Sequence, residues 1–273
     1  MKISFTETLE QLKPYISSFW VYESAFGVPA TDARIVVPNG TAKILIPIKN
    51  PLIATVGQKT MMAKEHHIHL AGLSEKPTKI TGDAKQTVTL GMQLTPKGLY
   101  RFFNLSMHET TDQLFTFEDI FGAWGARLQQ MLANMEDVQE KISSLQYALI
   151  YLLNKNTKDY SLLDHTIDVI NESHGIVSVK ELQTQTGYSK RYLDMLFKEH
   201  VGVSPKRLAS IARFQIFYQL WVQEKSKAFF KDNLYTYYYD QSHFIKEFKR
   251  FTGFTPQKFA DINNEFGRIF YTR

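Results

Sequence analysis

Apolar positions follow two different rhythms along the chain. Up to about Leu94 they come as short β-branched runs broken by turn residues: "ARIVVPNGTAKILIPI" around Pro38-Asn39-Gly40, then "HHIHLAGL" and "QTVTLGMQL". Such runs predict the strands of a small β domain. From Pro96 the spacing changes to three and four residues. "PKGLYRFFN" predicts a short helix opened by proline, and "TDQLFTFEDIFGAWGARLQQMLANM" and "VQEKISSLQYALIYLL" predict packed helices. The polar break "NKNTKD", residues 154–159, divides residues 1–155 from a second domain at 160–263. There "SLLDHTIDVINESHG" predicts a helix from a capping Ser161 to Gly175. "SVKELQTQTG" carries Ser178 and Glu181 at capping-box spacing and stops at Gly187, two residues before Ser189 starts another helix. Helix, glycine turn, helix is the pattern of a helix-turn-helix unit.

That pattern occurs twice. "YSKRYLDMLFKEHVGVSPKRL" from Tyr188 and "YDQSHFIKEFKRFTGFTPQKF" from Tyr239 lie 51 residues apart and align Phe197 with Phe248, Lys198 with Lys249, Gly202 with Gly253 and Pro205 with Pro256. In the first copy Leu193, Leu196 and Phe197 share an inward face with Tyr192 at its edge, leaving Lys190, Arg191, Asp194, Met195 and Lys198 outside. In the second copy Phe244, Phe248 and Phe251 face inward, and Gln241, Ser242, Ile245, Lys246 and Lys249 outward. A short helix with such an outer face can enter a major groove, its side chains reaching base edges while lysines neutralise phosphates; the alternative is an ordinary helix pair with a solvated face. "GVSP" and "GFTP" are punctuation: glycine ends one helix, Ser or Thr caps the next, and proline takes its first turn. The following "PKRLASIARFQIFYQLWVQ" predicts a long helix of about 28 Å, comparable with the roughly 34 Å between successive major-groove faces.

Composition narrows the setting. In 273 residues, apolar and charged fractions of 44% and 22% are those of a globular protein. The absence of cysteine removes disulfides, thiolate zinc sites and cysteine nucleophiles. The opening "MKISFTETLE" lacks a signal-peptide core, and no apolar run reaches membrane-spanning length, so a cytoplasmic location without membrane contact is expected. Charge is uneven: residues 1–155 hold 15 Lys/Arg against 14 Asp/Glu, residues 174–260 hold 14 against 7. The excess points the second half toward a polyanion. No triad, paired carboxylates or phosphate loop stands out, and "GAWG" at Gly122 to Gly125 lacks the P-loop lysine, so no enzyme and no cofactor is expected. His67 and His69 would share one face of a strand, near Glu65 and Glu75, which keeps a β-barrel metalloprotein as a minor alternative; no metal site is assigned.

On these residues the stretch from about 161 to 262 resembles the DNA-binding domain of the AraC/XylS family of bacterial transcription regulators. The resemblance is carried by "SKRYLDMLFKEHVGVSPKRL", by "ARFQ" at Ala212 to Gln215 and by "DQSHFIKEFKRFTGFTP". The first half resembles an N-terminal domain of some of these regulators through "PYISSFWVYE", "PNG" and "LTPKGLYRFF". The resemblance implies an α+β protein: a small β-barrel or cupin-like sensory or dimerisation domain with packed helices, then an all-α domain with two helix-turn-helix units joined by a linker helix. It implies base-facing roles for Arg191, Asp194 and Met195 and for Ser242, Ile245 and Lys246. Lys190, Lys198, Gln241, Lys249 and Arg250 would contact phosphate, and Ser189 completes the DNA-facing set. Arg191 is the candidate for guanine. The implied function is sequence-specific transcription regulation across two successive major grooves, as activator or repressor, modulated through the N-terminal domain. Double-stranded DNA is the implied partner; RNA polymerase, a small-molecule effector and a second copy are further candidates. A degenerate member, acting by protein contacts with one reading unit, is the alternative. Gln183 replaces the family's packing alanine, Asp232 and Asn233 fall where an apolar residue and alanine are expected, and Tyr237 falls at the turn glycine. Since a left-handed tyrosine costs on the order of 1–2 kcal/mol, that turn is expected to take another path, with Phe230, Leu234 and Tyr237 inward.

Overall fold

The computed structural model describes residues 1–27, 32–82, 85–224, 237–264 and 267. The chain is α+β, as its patterning predicts. Ten strands form two antiparallel sheets in a cupin-like arrangement. One has the order β1-β2-β9-β4-β7-β10, with β1 Lys2–Thr6, β2 Ile16–Ser24, β4 Ala42–Lys49, β7 His69–Ala71, β9 Thr87–Leu94 and β10 Leu114–Thr116. The other has the order β3-β8-β5-β6, with β3 Ile35–Val36, β5 Leu52–Val56, β6 Lys59–Ala63 and β8 Thr78–Thr81. The runs flanking Pro38-Asn39-Gly40 thus enter different sheets, Gly40 making the corner at φ 72°.

Alternation gives the larger sheet two working faces. Phe19, Val21, Ile44, Ile46, Leu90 and Met92 bury one face against helices, whereas Trp20 and Tyr22 turn to the smaller sheet. Trp20 lies opposite Gly91, where a Cβ would stand 2.0 Å from the indole, so only glycine leaves room for that ring. The helices behind the sheet are α1 Pro96–Phe102, α2 Met107–Thr110, α3 Phe117–Phe121, α4 Ala123–Ala133 and α5 Val138–Lys155. Two sequence readings are corrected here. The helical stretch expected from Thr111 begins instead as strand β10, because Leu114, Phe115 and Thr116 pair with Ala71, Leu70 and His69. His67 precedes β7 rather than sharing its face with His69.

The C-terminal helices are α6 Ser161–Glu172, α7 Val179–Thr186, α8 Lys190–His200, α9 Pro205–Glu224, α10 Gln241–Thr252 and α11 Pro256–Ala260. Ser161 is not the cap of α6. Asp159 accepts from its backbone N–H at 2.9 Å and sits 3.2 Å from its hydroxyl, a carboxylate outcompeting the serine as acceptor. A single core joins the two halves: Ile35, Val37 and Leu73 of the β region pack with Leu208, Ile211, Phe214 and Phe251. Polar ties reinforce it. Asn264 exchanges two hydrogen bonds with the backbone of Ile35, at 2.8 and 2.9 Å, the Gln215 amide donates to the Pro38 carbonyl, and Arg101 and Tyr100 both hold Asp164, at 2.8 and 2.6 Å. No helix among the described residues is long and apolar enough to cross a membrane.

Candidate nucleic-acid interface

The first unit is built from local rules. Ser178 accepts from the Glu181 N–H while the Glu181 carboxylate accepts from the Ser178 N–H, closing a capping box at the start of α7. Gly187 ends the helix in the left-handed region, at φ 74°. Ser189 then accepts from the Tyr192 N–H at 3.3 Å and starts α8. Leu193 and Phe197 are fully buried. Lys190, Arg191, Met195 and Lys198 are exposed, as is the capping Ser189, and Asp194 is half-buried. Tyr188 and Tyr192 stack at 4.9 Å over the turn.

In the second unit Asp240 accepts from the His243 N–H at 2.8 Å and starts α10. Phe244, Phe248 and Phe251 turn inward, and Gly253 closes the helix at φ 83°. Gln241, Ser242, Lys246, Lys249 and Arg250 are exposed; Ile245 is half-buried and packs on the core rather than standing free. The helix expected before it, with Phe230, Asp232, Asn233, Leu234 and Tyr235, lies outside the described residues. Tyr237 is half-buried and is not among the left-handed residues, so the turn takes a path without that strain; its ring lies 6.3 Å from Phe217.

Residues that the periodicity did not single out hold this unit in place. Glu247 is buried on α10 and accepts two hydrogen bonds from Arg213 of α9, at 2.9 and 3.1 Å, while that guanidinium lies 5.0 Å from the Tyr238 ring. Arg207 of α9 is buried over the Phe251 ring at 4.6 Å and donates to the Glu75 carboxylate at 2.5 Å. Desolvation lowers the Arg207 pKa against the opposing field of Glu75. In the sequence Arg207 falls in the predicted long helix "PKRLASIARFQIFYQLWVQ" and Arg213 also in "ARFQ", and neither position pointed to a partner.

Away from the helices, a cavity of about 110 Å³ lies between the two sheets, walled by Trp20, Tyr22, Leu45, Leu52, Val56 and Met61, with Lys43, Ser74, Asp112 and Gln113 among its charged and polar lining. Loss of hydration pushes the Lys43 ammonium down to about 8. The histidine pair makes no metal cluster: among the described residues no group of three ligating side chains converges, and the buried His69 spends Nε2 on the Lys64 N–H at 2.9 Å. Burial also lowers the His69 pKa to about 4.

With this geometry in view, the comparisons are consistent. Residues 182–261 match the family described as a helix-turn-helix domain, and residues 8–116 match a domain of unknown function, DUF6597. No curated protein matches the sequence. A structure of ToxT from Vibrio cholerae is similar in fold, with a TM-score of 0.50 at 10% identity over 89% of this chain and 97% of that chain. A structure of unsaturated fatty acid bound ToxT from Vibrio cholerae gives 0.49 at 11% identity over 95% and 98%. The AraC-like transcriptional activator CuxR gives 0.27 at 10% over 79% and 85%. The match makes residues 182–261 a helix-turn-helix domain, the class that carries both duplicated helices described above.

Proposed function

We propose that the protein reads two successive major grooves of duplex DNA, α8 entering one and α10 the next, with α9 setting their separation. The observation that carries this reading is the repeated construction: two capped helices, each with its apolar face buried and a polar, basic face exposed, on one 20-residue strut. Arg191, Asp194, Met195, Ser242, Ile245 and Lys246 take the base-facing roles, Arg191 bidentate to guanine. Ser189, Lys190, Lys198, Gln241, Lys249 and Arg250 position the helices on phosphate. Half-burial of Asp194 and Ile245 restricts them to the edge of the contact. The cavity between the sheets supports a small effector with an apolar body and one anionic group facing Lys43.

Footprinting on genomic fragments recovered with the protein tests the reading. Protection over two adjacent turns is expected, shortened to one by Lys246→Ala. Unchanged footprint length and affinity for that variant would remove the second unit as a reader.

A further inference from the structure

Between α8, α10 and the β region lies a cleft of about 380 Å³ lined by four cationic residues from three helices: Lys198 of α8, Lys206 and Arg207 of α9, and Arg250 of α10. Its one carboxylate comes from the other half of the molecule. Glu75 sits on the loop after β7, held by Asp112, whose carboxylate accepts from the Glu75 N–H at 3.0 Å and lies 2.8 Å from the Ser74 hydroxyl. From there its side chain meets Arg207 at 2.5 Å and Arg250 at 3.7 Å, and its backbone carbonyl accepts from Arg207 at 2.7 Å. Among the described residues Lys198 and Lys206 make no ion pair. One negative charge therefore faces four positive ones in a cleft with room to spare. Such a fork-and-ammonium cluster suits a tetrahedral oxyanion.

We propose that this cleft is a phosphate site for the DNA backbone and that Glu75 occupies it in the DNA-free protein, so that the β region and the duplex compete for Arg207 and Arg250. The inference rests on the DNA-reading function above and adds its regulation. Arg250 is already exposed and needs only to release a loose contact, whereas Arg207 is freed only when the Glu75 loop withdraws. Ser74 and Asp112, which hold that loop, also line the cavity between the sheets. A molecule filling the cavity therefore touches the same two residues that aim Glu75 at the DNA-binding helices, and this supplies a physical link from effector to reading helix.

The test compares full-length wild type, Glu75→Gln, Arg250→Gln and the double variant on a mixed-sequence duplex of about three turns, across a salt series. Glu23→Gln removes an exposed carboxylate of the β region on β2, away from the residues lining the cleft, and controls for net charge. Glu75→Gln is expected to tighten binding about three- to tenfold at low salt and to steepen the salt slope by about one. That gain should disappear in the double variant and be absent from Glu23→Gln. Because Glu75→Gln leaves Arg207 buried without a counter-charge, Glu75→Gln with Arg207→Gln is measured beside it, and thermal melting checks that both fold; the same steepening is expected. Binding and slope equal to wild type in both variants would overturn the latch and leave the DNA reading intact. Failure of every protein, wild type included, to bind duplex would overturn both. If inorganic phosphate weakens Glu75→Gln binding beyond the effect of matched ionic strength while its DNA affinity does not rise, the cleft holds free phosphate and the competition is refuted.

Discussion

Set side by side, the duplicated helices α8 and α10 share a frame but are anchored differently. In the register that aligns Tyr188 with Tyr239, Leu196 corresponds to Glu247. The first helix lays a half-buried leucine on the core shared by both halves. The second places a buried carboxylate at the same point and ties it to Arg213 on the strut. It also sits in a larger aromatic cluster, with Phe248 within 5.7 Å of the rings of Phe214, Phe244 and Phe259. The first unit is therefore fastened to the helices of the N-terminal half, where Ser106 donates to Glu199 at 3.0 Å and Tyr100 meets the His200 ring edge-on, the second by partners on α9. A duplicated sequence has kept its backbone punctuation and diverged in what fastens each copy to the molecule.

Attacking the fastenings should give the largest effects. Glu247→Ala leaves the Arg213 guanidinium buried and unpaired, with an expected loss of about 3–5 kcal/mol in denaturant unfolding. Glu247→Leu combined with Arg213→Met removes both charges and should recover most of it. Recovery would show that the pair chooses orientation more than stability; its absence would mean that the ion pair itself carries the packing. Phe197→Ala and Phe248→Ala should each cost about 3–5 kcal/mol, with the second nearer the upper end because more rings lose contact. Equal losses would deny the difference in anchoring.

Contacts to DNA come next in size. Arg191→Ala should weaken the best genomic site by about 1–3 kcal/mol and relax preference at one base position, read by selection from a random duplex library. A base profile unchanged at every position would disqualify the first helix as the reader. Smallest is Lys249→Ala, which should weaken all sequences alike and flatten the salt slope by about one. If its effect depended on sequence, Lys249 would be touching bases and the division between the two faces of α10 would need redrawing.

Much of this site was legible in advance because it follows from local rules. Capping by Ser178 and Ser189, termination at Gly187 and Gly253, and the inward triplet Phe244, Phe248 and Phe251 depend on residues a few positions apart. The errors have separate causes. Leu114 to Thr116 has helical-looking spacing but is captured by the open edge of β7, some 45 residues earlier in the chain, and Ser161 lost its capping role to a better acceptor two residues away. Ile245 reads as outward on a helical wheel yet packs on the core shared by both halves.

By itself the sequence determined the α+β order, the duplicated capped helices, and the basic balance of the C-terminal half, since each depends on backbone preference, side-chain period or summed charge over neighbouring residues. Only the tertiary structure decided that Glu75 reaches Arg207, 132 residues away, that Arg213 holds Glu247, and that Ser74 and Asp112 join the cavity to the cleft. Those pairings arise where distant segments are forced together by the burial of a common core, and no local pattern encodes which charges then find themselves face to face.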